Sequence, residues 1–130
     1  MRPVIGIPMG DPAGIGPEIV VKSLAGPEIY VVCRPLVVGD LGGMKQTLRF
    51  CKLDLGSNVV GTPAEGRYEH GIIDLIDLRN VDVAEFKIGE IQAMGGQAAF
   101  DYIKTVTELA LAREVDAIAT TPINKESLKA

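Results

Sequence analysis

The run Gly10-Asp11-Pro12-Ala13-Gly14-Ile15-Gly16-Pro17-Glu18, directly behind the apolar stretch Val4-Ile5-Gly6-Ile7-Pro8-Met9, is the part of this chain best suited to chemistry. Gly14 and Gly16 lack a Cβ, so the backbone can take positive φ there and a ligand can approach the main chain closely. Pro17 presets φ for the first helical position, where its missing N–H is not needed. A strand that delivers such a loop onto a helix aims amides at an anion. Two standard phosphate patterns do not fit. A dinucleotide fingerprint laid from Gly14 and Gly16 needs a small residue where Ile19 stands, and a Walker A loop needs Gly-Lys where Gly16-Pro17 stands. The same glycines also suit a tight β-to-α turn with no ligand at all.

A second chemical stretch lies near the other end, Thr120-Thr121-Pro122-Ile123-Asn124-Lys125, behind a short apolar strand that begins at Ala117. Lys125 can hold a carboxylate or phosphate, and Asn124 can donate to a ligand or cap the next helix. Asp11 can shape its own loop through an Asx turn or meet a ligand hydroxyl. In an open α/β sheet ligands sit at the carboxyl ends of the strands. Parallel strands joined by right-handed crossovers place Asp11, Gly14, Thr120, Asn124 and Lys125 at one rim.

Gly-Asp-Pro-Ala-Gly-Ile-Gly-Pro-Glu-Ile over residues 10–19 resembles the opening signature of the 4-hydroxythreonine-4-phosphate dehydrogenase family. Val115-Asp116-Ala117-Ile118-Ala119-Thr120-Thr121-Pro122-Ile123-Asn124-Lys125-Glu126 is similar to that family's later strand and turn, with Thr121 where Ala is usual. Between them, Arg34 to Asp40, Gly71 to Asp77 and Gly89 to Gly96 fall in the family's order, so the likeness spans the whole chain.

The resemblance implies an α/β fold with a mostly parallel sheet flanked by helices, part of the isocitrate/isopropylmalate dehydrogenase-like fold. It implies that residues 1–130 are the amino-terminal part of a two-domain dehydrogenase. The family's Gly-His-Thr-Glu loop and metal-binding histidines are then expected beyond Ala130, so no catalytic residue and no metal ligand is carried onto this span. The implied activity is oxidation, with decarboxylation, of a 4-phosphorylated hydroxy acid such as 4-hydroxythreonine-4-phosphate or 4-phospho-D-threonate. NAD and a divalent metal (zinc, magnesium or cobalt) are the implied cofactors, and the implied assembly is a homodimer. The segment 71–74 favours the threonate or erythronate branch, and this portion alone is not expected to catalyse the reaction. The substrate- or cofactor-binding residues expected here are Asp11, Gly14, Gly16, Asn124 and Lys125. A reading from a different class is a noncatalytic module that binds phosphate or a phosphorylated metabolite.

Composition limits the alternatives. The chain has 130 residues, 47% of them hydrophobic, and a formal net charge of −4. Its mean hydropathy is +0.23 and its pI near 5.0. This describes a folded domain with a real core. Clustered Lys and Arg for neutralising nucleic-acid phosphates are missing. The apolar runs are too short to cross a bilayer and the start does not read as a signal peptide, so a cytoplasmic protein binding a small molecule is expected. Cys33 and Cys51 have no metal or redox spacing and read as free thiols, and the lone His70 reads as a turn residue.

The elements needed to position these residues follow from the pattern. A strand over Val4–Met9 leads to a helix from Pro17 to about Leu24, closed by Gly26 and braced by Glu18 and Lys22 at i,i+4. Residues 29–33 have strand-like β-branched content, yet Pro27-Glu28 suit a helix start, and the resemblance favours a short helix. Leu36 to Asp40 reads as a buried strand, followed by a helix over about Leu41–Cys51 with Met44, Leu48 and Cys51 on one face. Extended pieces over 58–61 and 71–78 read as an edge or an excursion from the main sheet, with Arg79 and Lys87 solvated. Gly95-Gly96 opens a core helix in which Ala99, Ile103, Val106 and Ala110 recur at helical spacing with Tyr102 and Leu109 alongside. A final strand covers Ala117–Thr120.

Overall fold

The computed structural model describes residues 2–11, 15–80 and 93–120. Its elements run β1 (Val4–Pro8), α1 (Gly16–Ala25), α2 (Glu28–Val32), β2 (Arg34–Gly39), α3 (Leu41–Cys51), β3 (Gly56–Val59), a 3-10 turn (Pro63–Glu65), β4 (Ile72–Asp77), α4 (Ala93–Leu111) and β5 (Ala117–Ile118). The strands form one sheet in the order β3-β4-β2-β1-β5. Every pairing is parallel, with Val4 beside Arg34, Val37 beside Leu75, Gly56 beside Ile72 and Ile5 beside Ala117. The expected α/β sheet flanked by helices is thus present.

Alternation along β1 decides which helix lies where, because neighbouring residues of a strand face opposite sides. A Cβ at Gly6 would collide with Val106 of α4, whereas Ile7 shares a recess with Ile19, Val20 and Leu24 of α1. Helix α4 therefore covers one face, and α1, which packs on α3, covers the other. From β1 to β2 the chain steps one way across the sheet, and from β4 it returns past β2 and β1 to β5 on the opposite face. Reversing step and face together keeps the crossovers of one hand. β2 lies at the centre, and its Leu36, Val37 and Val38 are fully buried, as expected for a parallel strand covered on both sides.

Two glycines are dictated by geometry. Gly10, just after β1, has φ of 84°, in the left-handed region. Gly39, at the end of β2, faces Met9 so closely that a Cβ would sit 2.8 Å from the Met9 Cβ and Sδ. Met9 in turn donates its N–H to Val38 O at 2.8 Å, extending the pairing past β1.

Several expectations are met and others corrected. Residues 28–32 are helical, α3 spans Leu41–Cys51, and Lys22 Nζ lies 2.7 Å from Glu18 Oε1. Helix α1 ends at Gly26, but that residue is extended (φ −83°, ψ 143°) and not left-handed, because the chain runs straight into α2. Neither β3 nor β4 leaves the sheet, and β4 is interior, between β3 and β2. Its alternation is unreadable because Asp74 occupies a buried position. That carboxylate accepts from Tyr68 N at 2.7 Å, Arg67 N at 3.0 Å and Asn58 Nδ2 at 2.8 Å, so a charge sits where an apolar residue would have marked the face. On α4 the most buried stripe is Ala98, Ala99, Tyr102 and Val106, while Ile103 and Ala110 are half-buried. The last strand is shorter than expected, only Ala117–Ile118.

Gly39→Ala should destabilise the fold by roughly 1–3 kcal/mol, because the methyl meets the Cβ and Sδ of Met9, the Cβ too near the backbone to move aside cheaply. A urea titration followed by circular dichroism, compared with the parent chain, measures this; an unchanged midpoint would show that β1 and β2 are not in such close contact at their ends.

Candidate functional site

The carboxyl ends of β1, β2 and β4 meet at one rim, and each carries an aspartate just at or beyond it. Asp40 follows β2 as the N-cap of α3, its Oδ1 accepting from Gly43 N at 2.8 Å. Asp77 closes β4, and its Oδ1 accepts from Leu41 N at 3.1 Å and Arg79 N at 3.0 Å. One carboxylate thus ties the start of α3 to the exit of β4. Arg79 extends outward, as expected, with its Nε 3.9 Å from Asp77. Asp11 lies three residues past β1 and is 2% exposed.

The opposite wall is α4. Tyr102, fully buried, donates its hydroxyl to Asn80 Oδ1 at 2.8 Å, and Asn80 Nδ2 donates to Asp101 Oδ2 at 3.1 Å. Gln97 Nε2 donates to Asp101 Oδ1 at 2.9 Å. Burial raises the Tyr102 phenol far above its ordinary pKa, and the carboxylates of Asp40, Asp77, Asp101 and Asp11 push the same way. The charges of these four acids thus all oppose ionisation of one hydroxyl. Beside them a cavity of about 380 Å³ is lined by Leu78, Asn80, Asp101, Lys104, Thr105 and Glu108.

Of the residues singled out by sequence, Asp11 is buried at this rim and Gly16 is the buried first residue of α1. Helix α1 begins without a side-chain cap, Ile15 being in the helical region. Thr120 shares a recess of about 170 Å³ with Ile7, Ile19, Ser23 and Leu24, which puts the exit of β5 next to α1. Gly14, Asn124 and Lys125 lie outside the described residues. Sequence reasoning missed Asp40, Asp77, Asn80, Asp101 and Tyr102 as rim residues. Asp40 had a readable signal, an Asp between a β-branched run and a helical pattern. Asn80 and Tyr102 are 22 residues apart and carry no local one.

Chemically, the acids make the β2 and β4 part of the rim hostile to phosphate and suited to hydroxyl or ammonium groups. Among the described residues no group of three or more His, Cys, Asp or Glu is placed to hold a metal ion. His70 Nε2 is engaged with Ala25 O at 2.8 Å and the ring meets Tyr30 edge-on. Cys33 is a buried thiol, raised above its ordinary pKa by burial, and Cys51 is half-buried.

A parallel sheet wound on both faces, with its polar groups gathered at the carboxyl rim, is the framework of an α/β dehydrogenase half. Residues 31–130 match the family described as pyridoxal phosphate biosynthetic protein PdxA, and the chain belongs to that family. It is 57% identical over 129 residues to a Symbiobacterium thermophilum protein named for D-threonate 4-phosphate dehydrogenase, covering 99% of this chain and 38% of that protein. A Clostridium botulinum protein of the same name is 55% identical over 128 residues, covering 98% of this chain and 38% of that one. The crystal structure of a 4-hydroxythreonine-4-phosphate dehydrogenase from Burkholderia phymatum superposes with a TM-score of 0.95 at 43% identity, over 99% of this chain and 39% of that one. The chain thus spans about two fifths of the length of these relatives.

All three tyrosines are raised above their ordinary pKa, chiefly by burial, Tyr30 to about 12. A raised folded-state pKa means the neutral phenol is favoured by folding. The stability is fully present below the unfolded value of about 10 and is lost as pH rises from there through the folded values. Urea midpoints should fall progressively above that pH, and phenolate absorbance should lag a denatured control. Tyr102→Phe should remove part of the alkaline loss and cost roughly 1 kcal/mol at neutral pH through its broken bond to Asn80. Phenols that titrate like the denatured control would contradict the burial.

Proposed function

We propose that this chain is the amino-terminal part of a two-domain dehydrogenase that oxidises a 4-phosphorylated hydroxy acid with NAD, the product then losing carbon dioxide. The observation that carries the reading is the identity of 57% across nearly the whole chain to a relative named for D-threonate 4-phosphate, against 43% to the 4-hydroxythreonine-4-phosphate enzyme of known structure. D-threonate 4-phosphate is therefore the favoured substrate.

In this reading the chain's own residues bind and orient. The amides of Gly14 to Gly16 and of the start of α1 receive an anionic group of substrate or cofactor. Lys125 holds a carboxylate or phosphate as a point charge, and Asn124 donates to the same ligand or caps the next helix. Asp11, beside the acid-ringed Tyr102, orients a hydroxyl as an acceptor, and the acids of β2 and β4 keep phosphate to the α1 side. Among the described residues no group of acids, histidines or cysteines is placed to hold the divalent metal, and in this proposal its ligands come from groups beyond residue 130. A homodimer working in the cytoplasm completes the proposal.

The complete enzyme carrying this segment, supplied with NAD and a divalent metal, should form NADH from D-threonate 4-phosphate with kcat/KM at least about tenfold above that for 4-hydroxythreonine-4-phosphate. Lys125→Ala should raise KM for the phosphorylated acid by about tenfold or more. NADH formation from neither substrate, with binding of a phosphorylated metabolite intact, would instead indicate the noncatalytic module.

A further inference from the structure

At the amino end of the sheet, away from the acidic rim, a cavity of about 240 Å³ is lined by Val4, Arg34, Pro63, Ala64 and Glu114. Its notable member is Arg34, whose guanidinium is fixed from two sides. Nε donates to Arg2 O at 2.8 Å, and the planar group stacks over the Tyr68 ring with Cζ 5.6 Å from the centroid. Tyr68 is itself held at two points, its hydroxyl donating to Pro63 O at 2.6 Å and its N–H to Asp74 Oδ2 at 2.7 Å. The terminal nitrogens of Arg34 make no ion pair and no hydrogen bond among the described residues.

Glu114 stands on the turn after α4 and is likewise without an ion pair among the described residues. Its backbone is pinned, with its N–H donating to Leu109 O at 2.9 Å and the next residue, Val115, buried against Val4 and Tyr68. A guanidinium and a carboxylate thus share one small cavity without satisfying each other, separated by the apolar surface of Val4, Pro63 and Ala64. The carboxyl end of α4 adds negative potential on the Glu114 side.

We propose that this cavity binds a small α-amino acid, its carboxylate on the fork of Arg34, its ammonium at Glu114 and its short side chain against Val4, Pro63 and Ala64. A planar fork held rigid before the ligand arrives suits a carboxylate, which it can engage through two parallel hydrogen bonds. Because Arg34 cannot relax toward Glu114 without leaving Tyr68 and Arg2 O, the two charges stay available to a ligand that carries both signs. The site is independent of the carboxyl rim and of any reaction there.

The test is titration of this chain with L-alanine, acetate, ethylammonium and inorganic phosphate, followed by amide and arginine Nε–H resonances. L-alanine should produce saturable shifts at Val4, Ala64 and Arg34, with acetate and ethylammonium each at least about tenfold weaker. Arg34→Lys, which keeps the charge and removes the fork, should weaken L-alanine by about tenfold or more. Glu114→Gln, on an exposed turn where folding is not at stake, should bring L-alanine down to the level of acetate while leaving acetate unchanged. Absence of saturable shifts, phosphate binding as tightly as L-alanine, or L-alanine binding unaffected by Glu114→Gln would each overturn the proposal.

Discussion

The hydroxyl of Tyr102 is the point at which helix α4 is tied to the exit of β4 at the sheet's carboxyl edge. A phenol with no exposure must find an acceptor or forfeit its hydration, and Asn80 Oδ1 is that acceptor at 2.8 Å. Because Asn80 also donates to Asp101, the exit of β4 is clamped to the middle of α4 by two bonds that share one amide. The surrounding acids cannot relax the arrangement by ionising the phenol, since their fields oppose it. Tyr102 therefore serves as a neutral donor, and the places of Asp40, Asp77 and Asp11 are set by the strands it packs behind.

Those acids are mostly occupied with structure. Asp40 caps α3 and Asp77 takes the amide of its first residue, so the N-terminus of α3 is already answered by carboxylates. Helix α1 differs in having no side-chain cap and Gly16-Pro17 at its start. Two helices begin at the same rim, one closed by its own acids and one, among the described residues, without a side-chain cap. The N-terminus of α3 is thus closed to a further anion, and no cationic side chain stands among the described rim residues of β1 and β2.

How much of this is legible in the sequence depends on distance along the chain. Strand β2 and helix α3 are legible because a continuous apolar run and a capped, periodic segment are local patterns. The interior place of strand β4 is not, because Asp74 and Asp77, polar by type, are satisfied by partners from Asn58 to Arg79 that a linear pattern does not show. The weight of Tyr102 is hidden for the same reason, its acceptor being 22 residues away. The rim aspartates obey the same rule: Asp40 is recognisable as a cap, whereas its shared electrostatic influence with Asp77 and Asp101 on one phenol is a product of the fold. Of the binding residues expected from sequence, the structure places Asp11 and Gly16 at the carboxyl edge, and Gly14, Asn124 and Lys125 fall outside the described residues.

Strand β2 carries charges of opposite sign at its two ends, Arg34 opening it and Asp40 coming directly after it. Six residue steps at roughly 3.3 Å each put about 20 Å between them. That exceeds twice the screening length of about 8 Å at physiological ionic strength, so direct Coulombic communication across the surface is weak. The strand between them is buried on both faces and packed without slack, with Gly39 already against Met9. Any influence of the Arg34 cavity on the carboxyl rim must therefore be mechanical, as a displacement of β2 along its axis. Pairing with β1 on one side and β4 on the other resists such a shift. The physical expectation is two sites at opposite ends of one rigid strand that bind their ligands with little mutual effect.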